Sequence, residues 1–167
     1  IEFDPVDNIK MSLGVVLTML KNDPKKIEHS KLFLFLLVLY KEGLIENLTL
    51  KESKNLKKYL GDAILLMDSK KVKILYTIYQ FFEETLGSFP EKHLQFFIKI
   101  FNNIDRSVLR KHFPEIFDDL LFDYIESQGR YGGEYILPTE LSRFVCGIVD
   151  RPSNAKVYNP FGGIASF

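Results

Sequence analysis

Apolar residues recur every three or four positions along most of the chain, and polar or proline-containing breaks separate the runs. That period is the signature of amphipathic helices. Ile9, Met11, Leu13, Val16, Leu17 and Leu20 keep the rhythm from Asp7 to Leu20, where Asn22-Asp23-Pro24 stops it. The spacing predicts a second helix capped by Ser30, running through Tyr40 and ending at Gly43. Its apolar residues go nearly all the way round, which predicts a central, buried element. After the polar stretch Asn47 to Ser53, a weaker pattern covers Leu56, Tyr59, Leu60, Ala63, Ile64 and Met67, with Gly61 counting against it. Ser69 then opens a stronger helix through Leu86. Ser88 and Pro90 suit the cap and first turn of the next, which carries Leu94, Phe97, Ile98 and Phe101 on one face. Pro114 begins a further helix with Ile116, Phe117, Leu120, Leu121, Tyr124 and Ile125.

The texture changes at Gln128-Gly129-Arg130-Tyr131-Gly132-Gly133, where three glycines in five positions mark a loop and a domain boundary. Beyond it, Pro138 and Thr139 begin a short helix reaching Val149. Arg151-Pro152-Ser153-Asn154 form a turn, and Lys156 to Tyr158 form a strand. The chain therefore divides into a helical bundle over residues 1–130 and a second, differently built segment over 131–167. The expected fold class is mainly α, with the second segment supplying the first helix and strand of an α/β domain.

With 167 residues, of which 46% are hydrophobic, and 15 Phe and 8 Tyr, the chain has ample material for a core. The formal net charge is zero, so no global electrostatic signature points to nucleic acid or membrane, and any such contact has to be local. The longest apolar run, Leu32 to Tyr40, is nine residues, well short of the roughly 20 needed to cross a bilayer. One cysteine, Cys146, precludes an internal disulfide, and the expected compartment is the cytoplasm. The chain opens on Ile1 rather than Met and stops inside a glycine turn, and both ends are read as cut from a longer protein.

That glycine turn is the most informative stretch. Val157-Tyr158 lead into Asn159-Pro160-Phe161-Gly162-Gly163-Ile164-Ala165-Ser166-Phe167. A strand entering such a turn allows the backbone to approach a ligand closely. Upstream stands Gly133-Glu134-Tyr135-Ile136-Leu137-Pro138-Thr139-Glu140-Leu141. In order and spacing this pair resembles the amino-terminal edge of the catalytic domain of N6-adenine DNA methyltransferases, particularly the modification subunits of type I restriction-modification systems. There, a glycine, an aromatic-Thr-Pro element and a helix precede a strand ending in Asp-Pro-x-Cys-Gly-Ser-Gly-Gly. Tyr135 and Pro138 match the upstream element, Val157 and Tyr158 the strand, Pro160 the proline, Gly163 the central glycine and Phe167 the closing apolar residue. Asn159 replaces the aspartate, Phe161 fills a usually small position, and Gly162 replaces the cysteine. Ile164-Ala165-Ser166 stand for Ser-Gly-Gly, and Leu137 replaces the threonine. The resemblance covers about the last 35 residues.

The resemblance implies a Rossmann-like domain binding S-adenosylmethionine, with Tyr135, Pro138, Asn159, Pro160, Phe161, Gly162 and Gly163 beside the cofactor. It also implies DNA, a specificity subunit and a restriction subunit as partners of the helical part. The Asn-Pro-Pro-aromatic loop that handles the flipped adenine in that family does not occur among these residues. No catalytic residue and no metal site are therefore expected in this chain. Two other readings stay open: a non-enzymatic helical interaction module, and a stand-alone or nuclease-fused methyltransferase.

Other constellations read more blandly. Between Lys51 and Lys73 seven lysines face three acidic residues, a local excess of +4 suited either to phosphate contact or to a solvated face. Glu115, Asp118, Asp119, Asp123 and Glu126 form an acidic stripe, read as a solvent face or a surface for a basic partner. His29, His93 and His112 lack ligand spacing and read as surface or capping residues. Cys146, in an apolar stretch, reads as a buried thiol, and Phe96, Phe97 and Phe101 as core.

Overall fold

The computed structural model describes residues 4–45, 56–66, 69–128 and 139–148, together with 154 and 156. Among them the fold is mainly helical and contains no strand. The chain forms two compact units, Ile1–Tyr124 and Ile125–Phe167. The predicted strand falls outside the described residues except for Lys156, and so does most of the predicted turn before it.

The first unit is built around a helical hairpin. Helix α1 (Pro5–Leu20) starts earlier than its apolar rhythm suggests, because Asp4 accepts the Val6 amide at 2.8 Å and Pro5 fits the first turn. It buries Val6, Ile9, Leu13, Val16, Leu17 and Leu20. Helix α2 (Lys26–Glu42) also starts early. Ser30 does not cap it but is buried inside it. The turn is organised instead by Asp23, whose Oδ1 accepts the Lys25 amide at 2.8 Å. At the other end Gly43, at φ 84°, lets its own amide reach the Tyr40 carbonyl and the Leu44 amide reach that of Leu39, a Schellman closure.

Helix α2 buries residues on every side, among them Phe33, Phe35, Leu36 and Leu39, and it packs against four others. These are α1, α4 (Ser69–Ser88), α5 (Glu91–Asn102) and α6 (Arg106–Lys111). Helix α3 (Leu56–Leu65) packs on α4 and inserts Leu60. Ser88 belongs to the end of α4, where its hydroxyl donates to the Glu84 and Thr85 carbonyls, and Pro90 alone stands at the cap of α5. Aromatic rings knit the layers together. Phe33 meets Phe97 and Phe101 at centroid distances of 5.1 and 5.9 Å, Tyr40 meets Phe101 at 5.3 Å, and Phe35 meets Phe82 at 5.3 Å.

Helix α6 was not anticipated by the apolar pattern. Its six residues contribute one buried side chain, Leu109, and its start is set by Asp105, which accepts the Ser107 and Val108 amides. These bonds, the Ser107 hydroxyl first, hold the Asp105 carboxyl below the ordinary range. Helix α7 (Phe113–Gln128) inserts Ile116 and Leu120. The second unit includes helix α8 (Thr139–Ile148), on which Leu141, Phe144 and Ile148 are exposed.

Two outcomes follow from this packing. Phe97→Ala removes a fully buried ring and is expected to cost about 3–5 kcal/mol in urea unfolding. Gly43→Ala puts a Cβ on a left-handed residue where it displaces the Arg106 guanidinium, and is expected to cost at least about 1 kcal/mol by the same measurement.

Candidate functional site

Tyr135, Pro138, Asn159, Pro160, Phe161, Gly162 and Gly163 lie outside the described residues, as does the glycine loop before them. Of that region the structure describes α8, which begins at Thr139, one residue after the Pro138 element. Cys146, on this helix, is exposed rather than buried: it lies two residues from Phe144 and two from Ile148, on a helix whose apolar side chains are themselves exposed.

In the helical unit a polar cluster joins three residues that the sequence does not place together. His29 follows the Asn22-Asp23-Pro24 turn by one helical turn, so the first turn of α2 brings its ring back onto Asp23. The His29 Nδ1 lies 2.9 Å from Asp23 Oδ2, and the His29 side chain is only 5% exposed. His93, in the first turn of α5, sets its Nδ1 3.8 Å from the same oxygen. Phe89 closes the group, with its ring edge-on to His29 at 4.6 Å. The Asp23 carboxyl sits below its ordinary value. Burial pushes it up, but the Lys25 amide, the His29 ring and the positive charge of the two imidazoles outweigh that. The carboxylate is thus bonded to the first turn of α2 and only faces that of α5, where the His93 Nδ1 is buried without a hydrogen-bond partner.

Its chemistry is limited by its surroundings. An imidazole oriented by a carboxylate at Nδ1 is half of a general-base pair, but the free His29 Nε2 is buried without a hydrogen-bond partner. Nor does any group of three or more His, Cys, Asp or Glu among the described residues have the arrangement of a metal site. A cleft of about 190 Å³ lies elsewhere, lined by Pro5, Asn8, Ile9, Ser12, Asn103, Ile104 and Asp105. Its one carboxylate, Asp105, is already engaged as a helix cap.

Part of the acidic stripe is paired at the surface with a lysine of α1. Lys10 of α1 reaches Glu115 at 2.6 Å and Asp119 at 2.8 Å, and these two carboxylates, Asp119 foremost, hold its ammonium above the ordinary lysine range. His112 Nδ1 stands 3.8 Å from Glu115. Asp118 and Asp123 are exposed. Of the basic stretch, Lys58 and Lys73 are exposed, and Lys51 and Lys54 lie outside the described residues. Phe97 and Phe101 are core, with Phe96 packed at its edge. No helix among the described residues is long and apolar enough to cross a membrane. Comparison with protein-family models, with curated proteins and with solved structures finds no match to this chain.

Because the folded Asp23 carboxyl lies below its unfolded value of about 3.9, it adds stability above that pH and loses it as pH falls through the lowered value. Asp23→Asn is expected to cost about 2 kcal/mol at pH 7. The difference from the parent chain should shrink as the pH falls from the unfolded value of about 3.9 through the lowered folded one, as read from thermal melts across pH.

Proposed function

We propose that this chain is the amino-terminal part of a DNA adenine-N6 methyltransferase, the modification subunit of a type I restriction-modification system. The observation that carries the reading is the paired motif: Tyr135 and Pro138 ahead of a helix, then Asn159-Pro160-Phe161-Gly162-Gly163 after a predicted strand. Two features support it. The chain has a helical unit ending at Tyr124 and a separate unit after it, and helix α8 stands between the two motif segments.

On this reading, the glycine turn belongs to a Rossmann-like domain that binds S-adenosylmethionine, which supplies the methyl group. The small residues at 162 and 163 admit the cofactor to the backbone. Residues 1–130 bind and assemble: they help enclose DNA and meet the specificity and restriction subunits. The lysines between Lys51 and Lys73 are the local source of phosphate affinity, a contact that weakens with salt.

Two measurements test the proposal. The protein's sequence beyond Phe167 should carry an Asn/Asp-Pro-Pro-Tyr/Phe motif, and its absence sinks the assignment. The 167-residue chain should transfer no labelled methyl from S-adenosylmethionine to DNA, and incorporation into adenine would move the chemistry into residues assigned here to binding.

A further inference from the structure

His93 is held by packing where its neighbours are held by bonds. Its Nδ1 is buried without a hydrogen-bond partner and stands 3.8 Å from Asp23 Oδ2, about 1 Å beyond the reach of a charge-assisted bond. The same oxygen takes the His29 ring at 2.9 Å, and Asp23 Oδ1 takes the Lys25 amide. A carboxylate oxygen has two lone pairs, so Oδ2 keeps a place for a second donor.

The charge state of the ring decides whether that donor exists. The His93 side chain is 23% exposed, against 5% for His29, so solvent protons reach His93 more readily. A neutral ring that keeps its proton on Nε2 turns a lone pair toward the carboxylate. Two acceptors do not bond, and the 3.8 Å separation fits that state. A second proton makes Nδ1 a charged donor beside an anion. His29 gains nothing comparable, because its Nδ1 already meets Asp23 and a proton on its Nε2 would be buried with no acceptor. The groups facing His93 are Asp23, from the turn between α1 and α2, and His29, from α2, while the end of α4 brings the Phe89 ring, its centroid 6.0 Å away.

We propose that His93 is a proton-operated latch: when its ring is charged, Nδ1 donates to Asp23 Oδ2 and ties the first turn of α5 to the α1–α2 turn, and when the proton leaves, the tie opens. The movement is about 1 Å, and it falls beside Phe89 and Pro90, where the chain passes from α4 into α5. The latch needs an ionised carboxylate, and Asp23 stays ionised to below the ordinary carboxyl range. It is therefore closed on the acid side of the imidazole range, about 6.5 for a free ring, and open above it.

Amide hydrogen exchange of the full chain at about pH 5 and about pH 8, corrected for the intrinsic rate, tests this. Leu94 and Gln95, in the first turn of α5, should be about tenfold better protected at the lower pH, relative to amides in the middle of α1. His93→Gln should abolish that difference, with helix content by circular dichroism unchanged. In nitrogen-15 spectra of the parent chain's histidines, His93 should take its second proton at Nδ1 before His29 is charged. Equal protection of the first turn of α5 at both pH values, a difference that persists in His93→Gln, or a first proton taken by His29 would overturn the proposal.

Discussion

Everything in the helical unit depends on burying α2. A helix with apolar residues on all sides has no face to give to water, so each neighbour has to supply a wall. Helices α1, α4, α5 and α6 do so, and each is amphipathic or short because it has only one side to cover. The aromatic contacts from Phe33, Phe35 and Tyr40 set the spacing of those walls, since large rings fill the layer between helices and leave few alternative packings.

Polar groups then fix the helix ends that this packing leaves over. Asp4, Asp23 and Asp105 each accept backbone amides at a turn, so three aspartates define where α1, α2 and α6 begin. Asp23 has a second role, because its other oxygen receives His29 and faces His93. One carboxylate thus bonds to one helix and lies beside the start of another distant in sequence. At the surface, Lys10 holds α1 to α7 through Glu115 and Asp119. Exposed pairs contribute little each, but a lysine shared by two carboxylates restricts the angle between its helices.

The long helices were legible in the residues because their periodicity is strong, although the period does not say which apolar residues are buried: Met11 of α1, Ile74 and Phe81 of α4 and Phe122 of α7 are exposed. The starts were not. Ser30 and Ser88 are good capping residues by type, yet Lys25 and Pro90 hold the cap positions, and only the path of the chain decides between them. Helix α6 escaped notice because six residues with one buried leucine give no period to read. The Asp23, His29 and His93 cluster escaped because 64 residues separate its two histidines, a pairing that only the packing of α5 on α2 creates. Cys146 misled because an apolar neighbourhood in sequence need not be a buried one in space: Leu141, Phe144 and Ile148 of α8 are exposed as it is.

The Tyr40 hydroxyl donates to the Ile104 carbonyl at 2.9 Å, well inside the protein. Ile104 is also part of the wall of the cleft between the first turns of α1 and the α5–α6 corner. That wall is therefore moored to the central helix. Reshaping it would break a buried hydrogen bond, at a net cost of about 1 kcal/mol. One side of the cleft is thereby tied to the core of the protein rather than left to a surface loop.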